Sequence, residues 1–142
     1  MEEERPINLV ALIDDDEIAN FIGKKVIEKT QLVKQIKVFS GGQVAIDFLT
    51  KNAKHPNLLP EIILLDLNMP GMDGFEFLAE YIRLKPEIGK KINIYVVSSS
   101  LSYSDHDRIR NINNVSDFIV KPISEEKFTK IVASLVEEQE VD

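Results

Sequence analysis

The sequence predicts an α/β fold built on a parallel sheet, and two observations carry that prediction. Four or five short apolar runs rich in β-branched residues alternate along the chain with stretches of helical periodicity, the order expected of successive βα units. Runs such as Ile62-Ile63-Leu64-Leu65 are apolar at consecutive positions, so both faces must be covered, as helices cover a parallel sheet.

In chain order, the candidate strands are Ile7–Ile13, Val33–Phe39, Glu61–Asp66, Ile92–Val97 and Asp117–Val120. Lys34, Gln35 and Lys37 mark the second as an edge strand. After the first strand, Ile18, Phe21, Ile22 and Val26 form a helical stripe, and Ser40 and Gln43 have capping-box spacing ahead of Val44, Ala45, Phe48 and Leu49. Asp73 caps a helix carrying Phe75, Leu78 and Ile82, which should stop before Lys85-Pro86. The segment Ser102–Asn114 is polar apart from Tyr103, Ile109 and Ile112, a short helix with a shallow buried face. Ser124 caps the last helix, where Phe128, Ile131, Val132, Leu135 and Val136 follow i, i+3, i+4 spacing. The loop Ala53–Pro60 reads as a surface connection, and Asp14-Asp15-Asp16 and Asp66 sit at strand ends.

At 142 residues and 44% apolar composition, the chain is expected to form a single domain over 1–142, with its core from about 7 to 138. No apolar run reaches the roughly 20 residues of a membrane span, and the opening MEEERP is unlike a secretory signal. A cytoplasmic protein with no membrane partner is the expectation. The absence of cysteine excludes disulfides, thiolate catalysis and cysteine-zinc sites. His55 and His106 lie far apart among polar neighbours and are expected in solvent. A net charge of −7 opposes attraction to nucleic acid and suits a chain that gathers carboxylates for a cation.

The first and third strands end in carboxylates, and ligand sites of open α/β sheets lie at those carboxyl ends. If the two strands are neighbours, Asp14, Asp15 and Asp66 converge in one crevice, where an oxygen-only donor set suits Mg²⁺ better than zinc or copper. The fourth strand ends in Ser98-Ser99-Ser100, a hydroxyl donor, and the fifth in Lys121-Pro122, a cation. Taken singly, each has an ordinary explanation: a helix-capping turn, a turn residue, a loop, a solvated charge. Together, acid, acid, hydroxyl and lysine at the ends of strands one, three, four and five are what phosphoryl transfer to a carboxylate requires. Such transfer is catalysed largely by positioning and electrostatic stabilisation.

Four motifs in order, Leu12-Ile-Asp-Asp15, Leu64-Leu-Asp-Leu-Asn-Met-Pro-Gly-Met-Asp-Gly74, Val97-Ser98 and Val120-Lys-Pro122, resemble the receiver domain of two-component response regulators from Leu9 to about Val136. The resemblance implies a doubly wound, flavodoxin-like sheet of five parallel strands in the order 2-1-3-4-5, flanked by five helices. It implies Asp66 as phosphoacceptor, and Asp14 and Asp15 binding Mg²⁺ with Asp15 the direct ligand. The backbone carbonyl of Asn68 would complete the ligands, Ser98 would hold a phosphoryl oxygen, and Lys121 would pair with the phosphorylated Asp66. Phe118 stands at the position of the aromatic switch residue coupled to Ser98.

Ser98 replaces the commoner threonine and Phe118 the commoner tyrosine. Asn114-Val115 stands where Gly-Ala is usual, so Asn114 is expected to end a helix in left-handed conformation. Asn68 and Ser100 occupy the positions that tune water attack. The implied partners are a sensor histidine kinase or histidine phosphotransfer protein and an unknown downstream protein. The downstream contact would use a surface around Tyr103, Phe118 and Lys121, in a monomer or a phosphorylation-dependent dimer. With Val141-Asp142 following the last helix closely, the output is expected to be a protein contact rather than an enzyme activity. The competing readings are a phosphorylation-independent adaptor and an aspartyl-phosphate phosphohydrolase. The second would need an aspartate two residues beyond Asp66, where Asn68 stands.

Overall fold

The computed structural model describes residues 4–99 and 103–140. Strands β1 (Ile7–Ile13), β2 (Val33–Phe39), β3 (Ile62–Asp66), β4 (Asn93–Ser98) and β5 (Val115–Val120) form one sheet. Its order is β2-β1-β3-β4-β5, and every pairing is parallel. Helices α1 (Glu17–Thr30), α2 (Gly42–Lys51), α3 (Gly74–Leu84), α4 (Tyr103–Arg110) and α5 (Glu125–Glu140) provide the crossovers and the last element. The chain turns one way from β1 to β2 and the other way to β3, so the crevice at the carboxyl ends opens between β1 and β3.

Alternating residues divide the core into two layers. Val10, Leu12, Ile62 and Leu64 face Ile27 of α1 and Phe128 and Val132 of α5. Ala11, Ile13, Ile63 and Leu65 face Ile46 and Leu49 of α2 and Phe77 and Tyr81 of α3. A smaller cluster of Leu67, Val96 and Ile109 seats α4, with Phe75 and Phe118 against it. The expected edge strand, β2, is at the edge.

Local chemistry explains the helix ends. Asp73 and Glu76 form the capping box of α3, with Asp73 Oδ1 accepting from Glu76 N at 2.8 Å and Glu76 Oε1 accepting from Asp73 N at 3.2 Å. That helix stops at Leu84, and Lys85–Glu87 follows as a 3₁₀ turn. Ser124 Oγ accepts from Lys127 N at 3.1 Å ahead of α5.

Several expectations are corrected. No capping box forms at α2: Gly41 takes the N-cap position and Gln43 Nε2 donates to Asp47 Oδ1 at 3.0 Å. Asn114 is not left-handed; the positive φ of 58° belongs to Gln31, after α1, and Asn114 Oδ1 accepts from Lys85 Nζ at 2.6 Å. β5 starts at Val115, with Ser116 as the extra residue of a bulge opposite Ile94 and Tyr95. The loop from Ala53 to Pro60 buries Leu59 completely.

The largest departure is the rotation of α1. Three of the four residues of the stripe expected to face the core point outward, with Ile18 71%, Phe21 63% and Ile22 48% exposed, and only Val26 packs against the core. The inward residues are Asn20, Gly23 and Ile27. Two polar contacts set this phase: Asp16 Oδ1 caps Ile18 N at 2.9 Å, and Asn20 Nδ2 donates to Asp14 O at 2.8 Å.

At the opposite end of the sheet, Glu61 accepts from the backbone N–H groups of Asn8 and Leu9 and pairs with Lys90. Lys90 Nζ also donates to Pro56 O and Leu59 O, each at 3.0 Å. This closes the amino end around one half-buried ion pair.

Candidate functional site

The strand ends bring Asp14, Asp15 and Asp66 together, each offering a carboxylate oxygen within 4.8 Å of the others. Asp14 and Asp66 are buried, while Asp15 faces solvent. Asp16, the third acid of the run, is drawn away from the cluster into the N-cap of α1. Parallel register makes the convergence possible, since Ile13 pairs with Leu65, so the residues that follow, Asp14 and Asp66, stand side by side at the strand ends.

Lys121 lies directly after β5, before a cis Lys121–Pro122 bond, and its Nζ reaches Asp14 Oδ2 at 2.7 Å and Asp66 Oδ1 at 3.5 Å. Asp14 Oδ1 accepts from Asp16 N at 2.9 Å, so both oxygens of Asp14 are engaged. Ser98 is fully buried at the end of β4, and its carbonyl accepts from Lys121 N at 2.8 Å, which ties the last two strand ends together.

Burial raises the Asp66 carboxyl pKa, and the charge of Asp14 adds to the rise. The charge and hydrogen bond of Lys121 and the Asn68 backbone oppose it without cancelling it. Burial works against the Lys121 charge, but the hydrogen bond to Asp14 and the charges of Asp66 and Asp14 outweigh it and raise its pKa. The site thus holds one carboxylate in an unfavourable field and one ammonium in a favourable one.

The turn after β3 is tightly built. Gly74 N donates to Leu67 O at 2.9 Å, and a Cβ on Gly74 would stand 2.7 Å from Leu67 Cα and 2.8 Å from Asp66 O. Only glycine lets α3 begin this close to the acid-bearing loop. Gly71, at φ +74°, turns the chain between them. Asn68 is exposed beside Asp66.

Phe118 is half-buried, in register with Val96 on β4. Ser98 is two residues beyond Val96, so Ser98 and Phe118 share one face of the sheet. His106, expected in solvent, is half-buried instead, its ring edge-on to Phe118 with centroids 4.4 Å apart. Arg108 stacks 3.6 Å over the Phe75 ring and pins α4 from the other side. Ser100 and the Tyr103 side chain lie outside the described residues.

Sequence reasoning missed Asn20, the buried amide bonded to the carbonyl of Asp14. Its signal was its spacing with Gly23 and Ile27, a second helical phase masked by the more apolar one. Between α1 and the residues after β5, a groove of about 280 Å³ runs past Asp14, Asp66 and Lys121 to Ile18, Ile22 and Pro122.

Comparison with known proteins agrees with this geometry. Residues 10–133 match the response regulator receiver domain. A probable methanogenesis regulatory protein of Methanothrix harundinacea is 28% identical over 96% of this chain and 86% of its own. A response regulator of Synechocystis is 30% identical over 73% of this chain and 70% of its own. The crystal structure of a two-component response regulator from Cytophaga hutchinsonii superposes with a TM-score of 0.84 at 28% identity, covering 94% of this chain and 99% of that one. With the acidic cluster at the expected strand ends, the chain belongs to the response regulator receiver domain family.

Proposed function

We propose that this protein accepts a phosphoryl group on Asp66 from a phosphohistidine, in a Mg²⁺-dependent reaction, and that the modification switches a protein contact. One observation carries the reading. Asp66 ends β3 with the oxygens of Asp14 and Asp15 within 4.8 Å and Lys121 Nζ at 3.5 Å, a carboxylate surrounded by what a phosphoryl group needs.

The donor set fits a hard dication, being oxygen only and compact. Asp15, open to solvent, and Asp66 would hold Mg²⁺ directly, together with the Asn68 carbonyl; Asp14, with both oxygens engaged, supports the site from behind. Bound there, Mg²⁺ neutralises the acids and the charge on the transferring oxygens. An oxygen of Asp66 attacks phosphorus in line, the new P–O bond forms as the P–N bond to the donor imidazole breaks, and the imidazole nitrogen takes up a proton. Lys121 moves from sharing its charge between Asp14 and Asp66 to pairing with the phosphoryl group. The Ser98 hydroxyl donates to another phosphoryl oxygen, and the space it leaves on the shared face of the sheet is what Phe118 would enter.

The donor is a protein in this reading. Ile18 and Ile22 line a groove that leads to Asp66, and with Phe21 on the same helix they are exposed to a degree that a monomer gains nothing from. An apolar helix face carrying the phosphohistidine would dock there.

Incubation with Mg²⁺ and acetyl phosphate tests the chemistry. The expected result is a mass gain of one phosphoryl group, abolished by a chelator and by Asp66→Asn. Wild-type protein that takes no label from any donor, with partner contacts unchanged in Asp66→Asn, would instead establish a phosphorylation-independent adaptor.

A further inference from the structure

Asn20 is 8% exposed and stands in the first turns of α1, where the neighbouring positions on the sequence offer apolar side chains instead. Burying a carboxamide is unfavourable unless its polar atoms are bonded. This one spends its Nδ2 on the Asp14 carbonyl, at 2.8 Å. That carbonyl belongs to the peptide joining Asp14 to Asp15. Its plane sets where the Asp15 backbone, and hence its carboxylate, is directed.

The same short segment is held at three other points. Asp14 N donates to Phe39 O at 3.1 Å, Asp16 N donates to Asp14 Oδ1 at 2.9 Å, and Lys121 Nζ donates to Asp14 Oδ2 at 2.7 Å. The first and third fix Asp14 itself, and the second also holds the peptide that follows Asp15. Among the described residues, Asn20 alone holds the carbonyl of the peptide leading to Asp15, whose side chain is exposed.

We propose that Asn20 is a positioning residue for the divalent-cation site: by anchoring the Asp14–Asp15 peptide to α1, it pre-aims the Asp15 carboxylate at Asp66 before the cation arrives. The inference rests on the cation-dependent reading above. It also couples the site to the helix whose outer face is left for the phosphodonor, since Asn20 and the exposed Ile18, Phe21 and Ile22 ride on the same two turns.

Calorimetric titration of Mg²⁺ into the full chain tests this with two variants. Asn20→Leu keeps volume and removes the donor. Gly23→Ala perturbs the same buried helix face mildly, its Cβ meeting Leu12 Cδ1 at 3.6 Å. Loss of a group that orients a metal ligand weakens affinity by roughly 10- to 100-fold. Asn20→Leu is expected to fall in that range and Gly23→Ala to match wild type, with acetyl phosphate labelling of Asn20→Leu restored at saturating Mg²⁺. Equal Mg²⁺ affinity in Asn20→Leu and wild type overturns the inference, as does an equal loss in Gly23→Ala. Wild-type protein that does not bind Mg²⁺ overturns the cation reading itself. If Asn20→Leu does not fold, the wild-type side-chain amide resonance of Asn20 serves. It should shift with the same Mg²⁺ midpoint as the Asp15 amide, and an unmoved resonance overturns the proposal.

Discussion

Burial and the neighbouring charge of Asp14 both disfavour ionised Asp66, and Lys121 at 3.5 Å compensates only in part. A carboxyl whose pKa is higher folded than unfolded favours the fold fully at pH below its unfolded value, and that contribution is lost as pH rises through the folded value. Neutral pH therefore finds Asp66 working against stability. Asp66→Asn, in the absence of Mg²⁺, is expected to raise stability near pH 7 by on the order of 1 kcal/mol, a modest part of the Coulomb repulsion two carboxylates feel at this range. The gain should vanish as pH falls below about 3.9, the ordinary Asp value, and thermal melts across pH 3 to 8 would trace it. Sequence made Asp66 legible because a charged residue closing an apolar strand is conspicuous. It did not reveal that Lys121 sits nearer to Asp14 than to Asp66, because that choice depends on side-chain reach across two strand ends.

Among the elements, α3 was readable in its cap but only in part in its face: Phe77, Leu78 and Tyr81 are buried, while Ile82 of the expected stripe is 45% exposed. Helix α5 was readable from its cap and periodicity, because residue type there agrees with both local and tertiary preference. In α1 the two conflict: the larger apolar moment points to solvent, and capping by Asp16 and the Asn20 bond decide the rotation. Such a local exception is expected where a surface has a task beyond packing. Ile18→Ser with Phe21→Ser should leave the melting temperature within a degree or two, because both side chains are exposed. Transfer from a phosphohistidine protein should slow tenfold or more, with acetyl phosphate labelling unchanged; stopped-flow or gel-based transfer assays separate the two. At α3 the opposite holds, since the Gly74 position has no room. Gly74→Ala would force backbone apart at Leu67 and Asp66, costing roughly 1–3 kcal/mol as overpacking does and slowing labelling, read by denaturant unfolding and the acetyl phosphate assay.

For the molecule as a whole, the parallel sheet and its two layers followed from alternation of apolar runs and helical segments, since consecutive apolar residues in β3 can be satisfied only between two helical layers. The strand order followed only from the resemblance carried by the four motifs. The closure of the amino end by Glu61 and Lys90 was not legible. Neither residue belongs to a motif, and their meeting depends on the completed sheet. Under the proposed function, a cation that binds the folded chain alone must stabilise it by mass action, by about 2.7 kcal/mol at a hundred times its dissociation constant. Mg²⁺ should therefore raise the melting temperature, and Asp15→Asn should abolish most of that rise.

The crowding of Asp14, Asp15 and Asp66 at one end of a chain of net charge −7 also bears on the order in which reactants arrive. A negative crevice speeds the encounter with a dication and slows that with an anionic phosphodonor, both effects fading as salt screens them. Under the proposed function, the field thus favours one sequence of events, cation before phosphate. A protein donor, in the same reading, escapes the repulsion by approaching along the apolar flank of α1, where Lys25 places its cation over the Phe21 ring.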